Sequence, residues 1–510
     1  MINRRFLAPG AIVAIAVGVA ACGDITSLNQ NPNDPEDVPA STIFTNAARS
    51  SVSRWLGTAY DLRGTEFVAQ HFGEAQYPDE DRYSRLTGGS TDTWFTGPYT
   101  SELEDLRKVI QKGRDASQPG VYAPAVVLQT WGFSYLTDTW GDIPYSEALL
   151  GDTVDATSTP AYDPQQQIYD GMFAALQDAT TALTGASGEL GSADPIFGGS
   201  PVGWQKFANS LRARLALRIV NVDPAKASSE LTAAFTAPGG VIQTNADNAQ
   251  LAWPGDGVYN NPWSDNFKGR DDHRMSQTLM NIIVPLEDPR VAIFAMPVEG
   301  TTDEYVGMPN GLTGPQEYLT TASRPGAIFY PGLTTVGTFG GSGGSQPSYL
   351  MTAAEVLFIK AEAAERGLGG LNPGQAAGFY DAAIRASMEQ WGATGVDAYL
   401  ARSEVAYKGG TAGLKQIGVQ RWIALYSDGG QAWAEWRRTC QPETVRPGPA
   451  AITDEVPRRF QYGPAEYAAN RDQVDAAAAR MGGNEFETRM WWDNAPTAAP
   501  TYIAGCGVRQ

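Results

Sequence analysis

The sequence predicts a mainly α fold, a helical scaffold carrying a long irregular, loop-rich part and a few short strands. Three observations lead there. Apolar residues recur at helical spacing in segments spread along the chain. Between them, residues 241–272 and 285–348 are rich in Gly, Pro, Asn and aromatics, with no regular alternation of strand and helix, so a doubly wound sheet is not expected. Hydrophobic residues make up 42% of the 510, enough for a real core and too many for wholesale disorder.

The elements follow in order. Residues 101–114 begin with Ser101 and Glu104 at capping-box spacing and put Leu103, Leu106, Val109 and Ile110 on one face. Residues 123–137 read as helix despite their β-branched and aromatic side chains. Asp163 before Pro164 reads as an N-cap with proline in the first turn, and Ile168, Met172, Leu176, Ala179 and Leu183 then keep helical spacing. Ser200-Pro201 opens the next helix, with Phe207, Leu211 and Leu215 on a stripe. Residues 352–366 form another, stopped by Gly367. Residues 375–391 and 414–427 complete the set. The intervals are unequal, so any repeat is degenerate, and no boundary divides the body.

The N-terminus reads as an address. Arg4 and Arg5 precede an apolar stretch at residues 11–21. That is too short for a bilayer, which needs about 20 apolar residues. It ends in Val19-Ala20-Ala21-Cys22, which resembles the lipobox of bacterial lipoproteins, where the leader is cleaved and the cysteine acylated. The expected organisation is a signal peptide over 1–21, a lipidated tether over 22–40 and a single body over 41–510. Gly23, rather than Asp, follows Cys22, which favours outer-membrane sorting in a Gram-negative cell; the body is expected to face the cell surface, although the dense acidic run of many surface-exported lipoproteins is lacking. Cys440 and Cys506 remain. In an oxidising compartment they can pair or stay free, and their separation in sequence does not decide.

With 37 basic against 56 acidic residues, the chain lacks the cationic surface that nucleic acid requires. Two His leave little room for a His-rich zinc site, and no metal or cofactor is expected. Residues 340–344 match G-x-S-x-G literally, but a Gly/Ser run before Gln346-Pro347 is a loop and not a nucleophile elbow. Neither His71 nor His273 has a distinctive setting. Asp79-Glu80-Asp81 reads as a solvated loop. No P-loop, EF-hand, CxxC or post-strand G-x-G-x-x-G is present.

Five segments in order resemble the SusD/RagB family of nutrient-binding outer-membrane lipoproteins. They are 135–148, with Thr139-Trp140-Gly141-Asp142-Ile143-Pro144-Tyr145; 208–216, with Asn209-Ser210-Leu211-Arg212-Ala213-Arg214; 350–363, with Glu355 and Lys360-Ala361-Glu362; 420–439, with Arg421-Trp422 and Trp436-Arg437-Arg438; and 458–463, Arg458-Arg459-Phe460-Gln461-Tyr462-Gly463, followed by Trp491-Trp492-Asp493. Gly463 stands where that family commonly has Pro. Trp422, Trp433 and Trp436 read as core, and Arg437 and Arg438 as ion-paired scaffold.

The resemblance implies tetratricopeptide-like helix pairs and a binding protein rather than an enzyme. Such a protein captures an oligosaccharide, or in some members a peptide, and delivers it to a SusC-like TonB-dependent β-barrel as its hinged lid. The alternative is a lipid-anchored glycoside hydrolase using a carboxylate pair. A sugar needs aromatic faces beside hydrogen-bonding side chains. That pattern occurs at Trp253, Tyr259, Asn261, Trp263, Asn266 and Arg270, and again at Tyr77 and Tyr83 with Trp94 nearby.

Overall fold

The structure, a computed structural model, describes residues 38–151, 153, 156–330, 333–335, 338–339, 344–494 and 499–509. The leader, Cys22, most of the tether and residues 340–343 of the glycine-rich run lie outside the described residues.

The body, Ala40–Gln510, is one compact unit. Helices pack as antiparallel neighbours: Glu102–Asp115 with Pro119–Trp140, Gln165–Ala182 with Pro201–Arg218, Ala353–Glu365 with Ala376–Trp391, and Gly410–Ala424 with Gly429–Thr439. These are the tetratricopeptide-like pairs. Ala40–Trp55, Gly88–Thr100 and Pro224–Thr236, which the sequence reading passes over, extend the scaffold. Among the described residues, the strands form two-stranded antiparallel ribbons: Phe72–Glu74 with His273–Met275, Ile143–Pro144 with Tyr162–Asp163, Ala249–Leu251 with Ser348–Met351, and Leu333–Thr335 with Thr338–Phe339.

Two helices start where the sequence puts them, each with a side-chain cap. Ser200 Oγ accepts from the Gly203 N–H at 3.2 Å, and Thr352 Oγ1 from the Glu355 N–H at 3.2 Å. Gly367 takes φ +66, the left-handed stop expected of it. Two caps differ. The Ser101–Glu104 capping box does not form. Helix Gly88–Thr100 runs directly into Glu102–Asp115, and the Ser101 hydroxyl turns back to the Gly97 carbonyl at 2.7 Å. Helix Gln165–Ala182 starts with Pro164 as its N-cap residue, and Asp163 instead accepts the Tyr145 and Ser146 N–H groups at 3.1 and 2.7 Å.

Trp422, Trp433 and Trp436 are fully buried, as expected. Arg438 is ion-paired with Glu362 and Glu435, whereas Arg437 is not. Arg437 donates to the Asp138 and Arg458 carbonyls at 2.8 and 2.7 Å and stacks on Trp433, its guanidinium carbon 3.6 Å from the ring centroid. Burial brings its pKa down to about 9. Cys440 and Cys506 form a disulfide, with Cα atoms 6.0 Å apart. Of the acidic triplet, only Asp79 faces solvent. Glu80 and Asp81 are 1% and 0% exposed, because Arg63 and the Glu74 N–H draw them inward.

Candidate functional site

A surface depression of about 380 Å³ lies where helix Ala40–Trp55, the turn Thr58–Thr65 and helix Gly88–Thr100 meet. Its lining includes Trp94, Tyr60, Arg54, Glu102, Ser50 and Ser53. The half-buried Trp94 ring sits edge-on to Tyr60, with centroids 6.2 Å apart. A Cβ on Gly64 would come within 3.3 Å of that ring, so the glycine lets the indole settle against the backbone. Beside it, Arg54 Nε donates to Glu102 Oε1 at 2.7 Å and Nη2 to Oε2 at 3.3 Å, a two-pronged pair with the guanidinium partly in water. Apolar ring faces and charged hydrogen-bonding groups therefore share one shallow surface.

Arg49 stands one helical turn before Ser53. Its guanidinium carbon lies 4.0 Å from the centroid of the Tyr259 ring. Tyr259 is carried by a loop that its own side chains hold rigid. The Asp256 carboxylate accepts the N–H groups of Tyr259 and Val258 at 2.8 and 2.9 Å, and these bonds hold its pKa below the usual carboxylate range. Asn260 Oδ1 accepts from Gly257, and its amide donates to Asp265 at 2.8 Å. Asn261 caps helix Pro262–Phe267 by accepting from the Trp263 N–H at 2.9 Å, while its amide donates to the Gln346 carbonyl. Thr58 then ties this loop to the scaffold through the Pro262 carbonyl at 2.8 Å. The loop tip leaves Val258 75% and Tyr259 43% exposed.

A second exposed aromatic, Tyr77, lies under Arg270, whose guanidinium carbon is 4.6 Å from the ring centroid. A larger cleft of about 670 Å³ lies between helices Glu102–Asp115, Pro119–Trp140 and Gln165–Ala182. Its one aromatic, Tyr122, is partnered by Arg114. It offers much less for a sugar face. Among the described residues, no helix is long and apolar enough to cross a membrane.

The SusD-like family model, described as starch-binding and associating with the outer membrane, matches residues 32–463. The chain belongs to the SusD-like family. A chitin-binding SusD homolog from Flavobacterium johnsoniae is similar at 26% identity and TM-score 0.74, over 89% of this chain and 98% of that one. A SusD homolog from Bacteroides uniformis is similar at 27% identity and TM-score 0.74, over 90% and 100% of the two chains. Another, from Bacteroides vulgatus, shares the fold with a TM-score of 0.75 at 24% identity, over 89% and 97%. A comparison with curated proteins gives no match.

Within this SusD-like body, the side chains singled out from sequence divide sharply. Tyr259, Tyr77, Arg270 and Trp94 reach the surface. Trp253, Trp263 and Tyr83 do not, and this corrects the expectation of a platform made from them. Trp263 is 2% exposed and packs on Phe72 and Phe329; Trp253 donates to Ser348 Oγ at 2.9 Å; Tyr83 is fully buried. Asn261 is spent on capping, and Asn266 is half-buried. Sequence reasoning missed Arg49, Arg54 and Glu102. Arg49 and Ser53 share one face of a helix, four residues apart, a signal that identifies a neighbouring pair but not its partners.

Proposed function

We propose that this SusD-like protein is an outer-membrane lipoprotein, acylated at Cys22, that captures an oligosaccharide. It passes the ligand to a SusC-like TonB-dependent transporter, over which it acts as a hinged lid. It works as a binder, not an enzyme. One observation carries the reading: Trp94, with the Arg54–Glu102 pair beside it, lines an open depression on helix Ala40–Trp55, and Arg49 of the same helix stacks on the exposed ring of Tyr259. The chitin-binding relative supports a glycan ahead of a peptide. A sugar ring stacking on each aromatic gains about 1 kcal/mol beyond its buried area, giving capture weak enough for release. Glu102 is buried and tied up by Arg54, so the depression offers a ligand hydroxyl the part-exposed Arg54 guanidinium rather than a free carboxylate for proton transfer.

The test is titration calorimetry with chitin and starch oligosaccharides and with peptides, on wild type, Trp94→Ala and Tyr259→Ala. Each variant should lose about tenfold in affinity for the glycan that binds, which corresponds to about 1.4 kcal/mol. Unchanged affinity in both variants would remove this surface from the reading. Detergent extraction from the native membrane should bring down a large β-barrel with the lipidated protein, and failure to do so would count against the lid role.

A further inference from the structure

The ribbon of Phe72–Glu74 and His273–Met275 sets Glu74 directly opposite His273. Asp272 precedes His273, and its carbonyl accepts from the Ala75 N–H at 2.8 Å. His273 Nδ1 lies 3.0 Å from Asp272 Oδ1 and 3.8 Å from Glu74 Oε2, and all three side chains are 0–1% exposed. The imidazole is held in place by Phe67, stacked at 5.3 Å, and by Phe267, edge-on at 5.4 Å.

Two further carboxylates share this interior. Glu80 pairs with Arg63, and Asp81 Oδ2 accepts from the Glu74 N–H at 3.2 Å. Asp272 Oδ2 is taken by Arg270. Four buried carboxylates thus face two guanidiniums and the single imidazole of His273, which shares a hydrogen bond with Asp272. Glu74 Oε1 accepts from the Gln76 and Tyr77 N–H groups, each at 3.0 Å, but Glu74 Oε2 and Asp81 Oδ1 find no hydrogen-bond partner among the described residues. Buried carboxylate oxygens in that state are costly unless a cation meets them.

We propose that Glu74, Asp272 and His273 form a structural site for a first-row divalent cation, Zn²⁺ or Mn²⁺. The geometry fits. Ligand atoms held at about 2.1 Å from one ion stand roughly 3.0–3.4 Å apart, for right-angled to tetrahedral arrangements. The Asp272–His273 separation is already there, and Glu74 needs only a small swing. One imidazole nitrogen with two carboxylate oxygens suits these ions better than Ca²⁺ or Mg²⁺, which take oxygen alone. The ion would fasten the ribbon beneath the exposed Tyr77–Arg270 pair, and it would balance charge that the two arginines leave unmatched.

The experiment is metal analysis of the purified wild-type protein by plasma mass spectrometry. Thermal melts follow after chelator stripping and after adding back Zn²⁺, Mn²⁺, Ca²⁺ or Mg²⁺. Expected are close to one equivalent of transition metal per chain, and a Tm that falls on stripping and is restored saturably by Zn²⁺ or Mn²⁺. Glu74→Gln should lose the equivalent and the response. If that variant does not fold, His273→Gln and the wild-type add-back still decide. A wild type with no bound metal and no Tm response to Zn²⁺ or Mn²⁺, or a response to Ca²⁺ alone, overturns the site and leaves an internal ion cluster only.

Discussion

The rings of Trp263 and Phe329 lie with centroids 4.9 Å apart, inside the core and away from solvent. Trp263 also meets Phe72 at 5.5 Å and Tyr426 at 6.3 Å, so it joins the short helix Pro262–Phe267 to the scaffold. Trp263→Ala should therefore lower the stability of the body by about 3–5 kcal/mol, the usual effect of truncating a buried tryptophan. Urea unfolding followed by tryptophan fluorescence measures it. A change below about 1 kcal/mol would mean that the ring is not core. Tyr259→Ala, at an exposed loop tip, should change stability by no more than about 0.5 kcal/mol.

The Cys440–Cys506 disulfide spans 66 residues and ties the end of helix Gly429–Thr439 to the C-terminal segment. A closed loop of that length restricts the unfolded chain by about 4 kcal/mol in the chain-entropy account. The double variant Cys440→Ser with Cys506→Ser should unfold at clearly lower denaturant than wild type. An equal midpoint would show that the bond adds nothing to equilibrium stability.

Asp428 sits 5% exposed, accepting from the Tyr135 hydroxyl at 2.8 Å and from the Gln431 N–H at 3.1 Å. Burial pushes its pKa up to about 6. The folded value thus lies above the unfolded one of about 3.9, so stability is fullest below that lower value and declines as pH rises through about 6. Asp428→Asn keeps an acceptor for the helix cap and removes the charge. Its Tm relative to wild type should improve between pH 4 and pH 7.5, by the equivalent of on the order of 2–3 kcal/mol. A difference that stays flat across that range would show that Asp428 does not titrate there.

Helical stripes and helix starts were readable because both ends of each interaction lie within one turn, as at Ser200. The family segments were readable for the same reason of local order. What escaped depends on distant partners. Nothing near Asp79-Glu80-Asp81 announces that Arg63, seventeen residues before Glu80, pulls that side chain inward. The aromatic-polar interleaving of residues 253–270 is real as composition. Yet Asp256, Asn260 and Asn261 serve the loop's own backbone and the helix it starts, and Trp253 and Trp263 anchor that loop from below. The tip, with Tyr259, reaches the surface, as does Arg270 at the far end. Trp94 was visible as an aromatic, but its companions Arg54 and Glu102 come from two other helices and meet only in space.

Arg214 reaches Glu355, which reaches Arg421; Arg421 reaches Glu435, Glu435 reaches Arg438, and Arg438 reaches Glu362. These alternating charges are all within 3% of full burial, and they join helices Pro201–Arg218, Ala353–Glu365, Gly410–Ala424 and Gly429–Thr439. Their positions fall in the segments by which the family was recognised. Taking one member away strands a charge in a dry interior, whereas a well-packed apolar replacement would need several coordinated changes. The helices are thus keyed to one another like a lock with a single combination, and none of the keyed positions lies on the loop that carries Tyr259. The loop bearing Tyr259 makes none of these pairs, so its exposed side chains can be changed without stranding a charge in the scaffold.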